Sequence, residues 1–80
     1  MHEGEHLFAH ERIVVSPAAG LFSPADGLRE GADLAAGHVL GEVAGQEVRS
    51  PFAGSVVGVL AEPGERVTVS QPLAWLRVSS

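Results

Sequence analysis

The sequence contains no cysteine. No disulfide can brace the chain, and no thiolate can bind a metal or attack a substrate. Lysine is absent as well, because all five basic residues are arginines: Arg12, Arg29, Arg49, Arg66 and Arg77. They are scattered among ten acids, for a net charge of −5 with neutral histidines. A chain without a basic stripe suits neither the phosphate backbone of nucleic acid nor an anionic membrane surface, so neither is expected as a partner. No apolar run approaches the ~20 residues that span a bilayer. The opening MHEGEHLFAHER has neither the basic flank nor the apolar core of a secretory signal, and a cytoplasmic location is the expectation.

What is present suffices for one small core. Eighty residues with 45% hydrophobic content bury roughly 60–65% of their unfolded surface, which excludes a second domain, a large enzyme cleft or a wide cofactor cavity. The expected organisation is a flexible tail over residues 1–11 and one β domain over residues 12–80. Within that domain the chain repeats itself. Ser16-Pro17-Ala18-Ala19-Gly20 returns 34 positions on as Ser50-Pro51-Phe52-Ala53-Gly54, and Glu30-Gly31-Ala32-Asp33-Leu34 returns 33 positions on as Pro63-Gly64-Glu65-Arg66-Val67. Val39-Leu40 then aligns with Pro72-Leu73 and Val43 with Leu76, so a single one-residue gap is expected between the halves. Each half is too short to bury its own apolar face, and the two must pack on each other.

Local chemistry points to strands. Proline after Val14-Val15-Ser16 and after Val48-Arg49-Ser50 belongs at a strand end, because it fixes φ and donates no hydrogen bond. Ser55 to Leu60 is rich in β-branched residues. Pro63-Gly64 suits the two central positions of a type II turn. The last strand is expected to carry Leu73, Trp75 and Arg77 on one face and Ala74, Leu76 and Val78 on the other, as at the closed edge of a sandwich. Leu28 to Leu40 is the one helical candidate, but Gly31 and Gly37 cost about 1 kcal/mol each in a helix. Its counterpart in the second half prefers strand, so both halves are assigned β.

Few residues suggest chemistry. His2-Glu3-Gly4-Glu5-His6 formally matches the H-E-x-x-H zinc signature, yet Gly4 weakens any helix there, and His10 stands at no established third-ligand spacing. Residues 1–11 therefore read as an acidic-histidine tail, with a metal site through His2, His6 and His10 as an alternative function. His38 reads as a turn residue, and Glu62 and Glu65 as solvating a surface turn. No serine elbow or phosphate-cradling glycine loop occurs. Phe22, Phe52 and Trp75 are expected to be core or half-buried.

The glycines carry a resemblance. Gly31-x-x-Leu34-x-x-Gly37-x-x-Leu40, then Ser50-Pro51-x-x-Gly54-x-Val56, then Gly64-Glu65-x-Val67-x-x-x-Gln71-Pro72-Leu73 resembles the biotinyl/lipoyl carrier domains, the biotin carboxyl carrier protein of acyl-CoA carboxylases among them. The likeness spans about residues 12–78. It implies an all-β barrel-sandwich hybrid of two pseudo-symmetric halves of antiparallel strands. Those carriers attach biotin or lipoic acid to one lysine at the tip of the hairpin joining the halves, typically within Glu-Ala-Met-Lys-Met. Here the stretch is Leu40-Gly41-Glu42-Val43-Ala44-Gly45-Gln46-Glu47-Val48-Arg49-Ser50, with no Met-Lys-Met. Roughly four residues fewer than the biotinyl pattern shorten the tip by about 7 Å, and Ala44-Gly45 can make a two-residue turn. Arginine is no substitute, since its guanidinium stays protonated. A carrier-like fold without its lysine is expected to be no enzyme, to bind no cofactor and to work by contact on a carboxylase or dehydrogenase complex. The expected contact surface is the tip: Glu42, Val43, Ala44, Gly45, Gln46 and Glu47, with Val43-Ala44-Gly45 as an apolar knob. A genuine biotin or lipoyl carrier with unusual attachment is the other alternative, and self-assembly through strand edges a further one.

Overall fold

The computed structural model describes residues 10–78, and among them every regular element is a strand. The eight strands are β1 (Glu11–Val15), β2 (Gly20–Pro24), β3 (Asp33–Leu34), β4 (Val39–Val43), β5 (Gln46–Arg49), β6 (Gly54–Val59), β7 (Arg66–Val67) and β8 (Pro72–Val78). They form two antiparallel four-stranded sheets, ordered β1-β8-β6-β3 and β5-β4-β2-β7. Shifting every strand by four, cyclically, turns the first order into the second. The sequence repeat is thus a pseudo-two-fold of the fold, and the expected barrel-sandwich is what forms.

The turns repeat as the sequence does. Ser16 and Ser50 are buried, and each hydroxyl donates to the carbonyl two residues on, Ala18 O at 2.7 Å and Phe52 O at 2.6 Å. This side-chain turn is what the Ser-Pro-x-Ala-Gly motif encodes. The Ser16 N–H donates to Gln71 O, and the Ser50 N–H to His38 O, both at 2.9 Å. Glu62-Pro63-Gly64-Glu65 closes with Glu65 N–H donating to Glu62 O at 3.0 Å and Gly64 at φ 80°. That is the expected type II turn, in which the third position needs positive φ. Its counterpart in the first half has Gly31 at φ 87°.

The core is assembled from matched pairs. Val14 and Val48, Phe22 and Val56, Leu34 and Val67, Leu40 and Leu73, and Val43 and Leu76 occupy equivalent positions, and all ten are buried. Phe22 faces Val43 across β2·β4, while Val56 faces Leu76 across β6·β8. The large side chain has changed strands, which conserves volume where the two faces meet.

Four expectations need correction. The halves are not related by one gap. Val57 is an extra residue where the β6·β8 register shifts, and the loop after Leu60 is two residues shorter than the loop after Ala25. β8 lies inside its sheet, between β1 and β6. Its faces do not alternate simply, because Leu73 is the unpaired residue of a bulge against Val14 and Val15. The bulge lets Leu73 and Ala74 both point inward, while Trp75 stays 36% exposed. Leu40 is the matching bulge residue in β4 against β5. Finally, Glu11, assigned to the tail, belongs to β1 and pairs with Arg77.

Candidate functional site: the hairpin between the halves

β4 and β5 are joined by Ala44 and Gly45 alone, at φ 53° and 79°. Two central residues with positive φ define the type I′ turn, whose twist matches that of the flanking strands. Gly45 takes this conformation without strain; Ala44 does not. The tip is therefore a short, tight hairpin, as the residue spacing anticipates.

Glu42, Ala44, Gly45, Gln46 and Glu47 are all exposed. Val43 is not: it is 0% exposed and belongs to the core. The expected apolar knob is thus absent, because strand alternation turns Val43 inward onto Phe22 while Glu42 points out. What the tip presents is polar. Glu42 stands directly opposite Glu47 in the ladder. Arg49 holds Glu47 through Nη2–Oε1 at 2.5 Å and donates Nη1 to Gly37 O at 2.8 Å. Both partners are about half exposed, so this bridge contributes at most about 1 kcal/mol.

A biotinyl or lipoyl group does not fit these residues. Attachment requires an exposed primary amine, and the two turn residues offer a methyl group and a hydrogen. The sequence holds no lysine elsewhere. Among the described residues no group of three or more histidine, cysteine or acidic side chains could hold a metal. The H-E-x-x-H motif with His2 and His6 lies outside the described residues, while His10 accepts from Val78 N–H through its backbone carbonyl at 2.6 Å. The recess beside Asp26, Leu28, Leu34 and His38 has room for about one water molecule and none for a small-molecule ligand. No helix among the described residues is long and apolar enough to cross a membrane.

No protein-family model matches the sequence, and no curated protein matches it. Among solved structures, the chain is similar to a single-chain, multi-domain long-chain acyl-CoA carboxylase, with a TM-score of 0.77 and 27% identity over 88% of this chain. The match spans 7% of that carboxylase. It is therefore one small part of the enzyme that this all-β fold resembles. The outward face of β1 and β8, where Ile13, Val15 and Trp75 are exposed, lies outside the expected contact surface. The signal was available in the repeat, which aligns Ile13 with Glu47 and Val15 with Arg49.

Proposed function

We propose that this chain is a carrier-like module that acts by contact rather than catalysis, docking on an acyl-CoA carboxylase or a related multienzyme through its hairpin tip. The observation that carries the reading is a carrier-like fold, similar to part of an acyl-CoA carboxylase, whose central hairpin ends in Ala44-Gly45 with no lysine in the sequence. A fold does not fix a function, and a scaffold that cannot hold the cargo keeps only its surfaces. The contact residues are Glu42, Ala44, Gly45, Gln46 and Glu47. Two carboxylates facing each other on a rigid turn suit a basic groove on the partner.

Capture from native lysate on the immobilised full-length chain tests this reading. The expected result is recovery of a carboxylase component, lost when Glu42→Arg and Glu47→Arg are combined. Recovery of no carboxylase or dehydrogenase component overturns it. Intact mass after co-expression with a biotin ligase that modifies a control carrier is expected to stay unchanged, and a one-biotin increment would establish the carrier alternative instead.

A further inference from the structure

β1 and β5 are equivalent under the pseudo-two-fold, and each is the edge of its sheet. Hydrogen bonds from Val78 N–H to His10 O and from Ser16 N–H to Gln71 O fix the phase of β1. Even-numbered residues bond to β8, and the backbone groups of Glu11, Ile13 and Val15 point away from it. The equivalent outward residues of β5 include Glu47 and Arg49, which form an ion pair. Edges that remain single are commonly guarded by charge in this way. At the same two positions β1 carries Ile13 and Val15, each 44% exposed. The contrast continues one strand inward. Trp75, at 36% exposure, faces Ile13 on one side and Gly58 on the other, whereas the equivalent Glu42 faces Glu47. Among the described residues no hydrogen bond reaches the outward backbone groups of Ile13 and Val15.

We propose that β1 is the seam of a homodimer, in which two copies pair their β1 strands antiparallel with Ile13 opposite Ile13 of the second copy. A two-fold interface must be self-complementary, and this register is. Glu11 falls opposite Val15 and Arg12 opposite Val14, so no like charges face each other despite the net charge of −5. Glu11 is already engaged by Arg77 at 3.2 Å, which leaves the seam locally balanced. About six backbone hydrogen bonds close between the strands, two of them to Glu11 O, from which Arg12 Nη1, donating there at 2.9 Å, turns aside. The row Gly58–Trp75–Ile13 continues across the axis into Ile13–Trp75–Gly58 of the second copy, making one eight-stranded sheet with a shared apolar stripe. An apolar strand of another protein is the competing occupant, and the experiment separates the two.

Sedimentation velocity of the full chain from about 1 µM to 1 mM is expected to pass from monomer to dimer. Emission from Trp75, the single tryptophan, should shift to the blue over the same range. Ile13→Lys places charge on the seam. Ile13→Pro removes an outward N–H that makes no bond to β8, a change edge strands tolerate. Both variants should keep the far-ultraviolet circular dichroism of the parent and weaken association roughly thirtyfold or more. Val69→Lys, at the most exposed large apolar residue among those described (60%), should leave it unchanged. A chain that stays monomeric throughout overturns the proposal and leaves β1 to a foreign strand. A dimer unaffected by both Ile13 variants, or weakened equally by Val69→Lys, also overturns it.

Discussion

Among the described residues two non-glycine residues hold positive φ, Ala44 at 53° and Ser70 at 70°. Ser70 is informative because the repeat supplies its own control. Its equivalent is Gly37, at φ 88°, and both close the same turn, His38 N–H donating to Ala35 O and Gln71 N–H to Thr68 O, each at 3.1 Å. A left-handed conformation costs an L-residue about 1–2 kcal/mol, partly offset by the greater freedom glycine loses on folding. Ser70→Gly is therefore expected to stabilise by about 0.5 kcal/mol, and Gly37→Ser to destabilise by a similar amount, measured by urea unfolding. Gly54 is glycine for another reason. A Cβ there would meet the backbone of Arg77 and Val78 in the neighbouring β8. That is a close approach invisible to any local reading of a Ser-Pro-x-Ala-Gly turn, although the motif records its outcome.

Elements show where alternation predicts faces and where it fails. In β4 and β5, Val43 and Val48 turn inward while Glu42 and Glu47 turn out, and the cost is a like-charge pair across the ladder. Replacing Glu42 with lysine converts that repulsion to attraction. Stability should rise by about 0.5–1 kcal/mol at low salt, and the gain should shrink in 1 M salt as screening takes over. In β8 alternation breaks at Leu73, because a bulge admits an extra residue and resets the phase. Nothing in Pro-Leu-Ala-Trp-Leu-Arg-Val marks that position. The helical candidate Leu28 to Leu40 resolves into two turns around the two-residue β3, as its counterpart in the second half implied. The tip was legible as a two-residue turn from its length, whereas the burial of Val43 needed the strand's phase, which Phe22 sets from across the sheet.

At the scale of the molecule, the halves are interleaved rather than stacked. The ladders β1·β8, β3·β6, β2·β7 and β4·β5 each join a strand of one half to a strand of the other, leaving only β2·β4 and β6·β8 within a half. An isolated two-stranded ribbon is marginal at best in water. Fragments 1–44 and 45–80 should accordingly show coil-like circular dichroism separately and regain the β spectrum on mixing, with a slow second-order phase. A folded fragment 1–44 would contradict the interleaved core. The same symmetry separates scaffold from surface. Equivalent inward positions keep similar side chains, whereas equivalent outward positions diverge, acidic at the tip of one sheet and apolar at the edge of the other.

The sequence by itself determined the strands, the duplicated serine and glycine turns and the absence of any lysine for a cargo, because these follow from local backbone preferences and from composition. Tertiary structure alone decided which valine of the hairpin is hidden, where bulges reset the phase, and that Ile13 and Val15 lie on an open edge. Those depend on the order in which distant strands meet, and pairing between residues more than sixty positions apart, such as Glu11 with Arg77, leaves no mark in the neighbourhood of either.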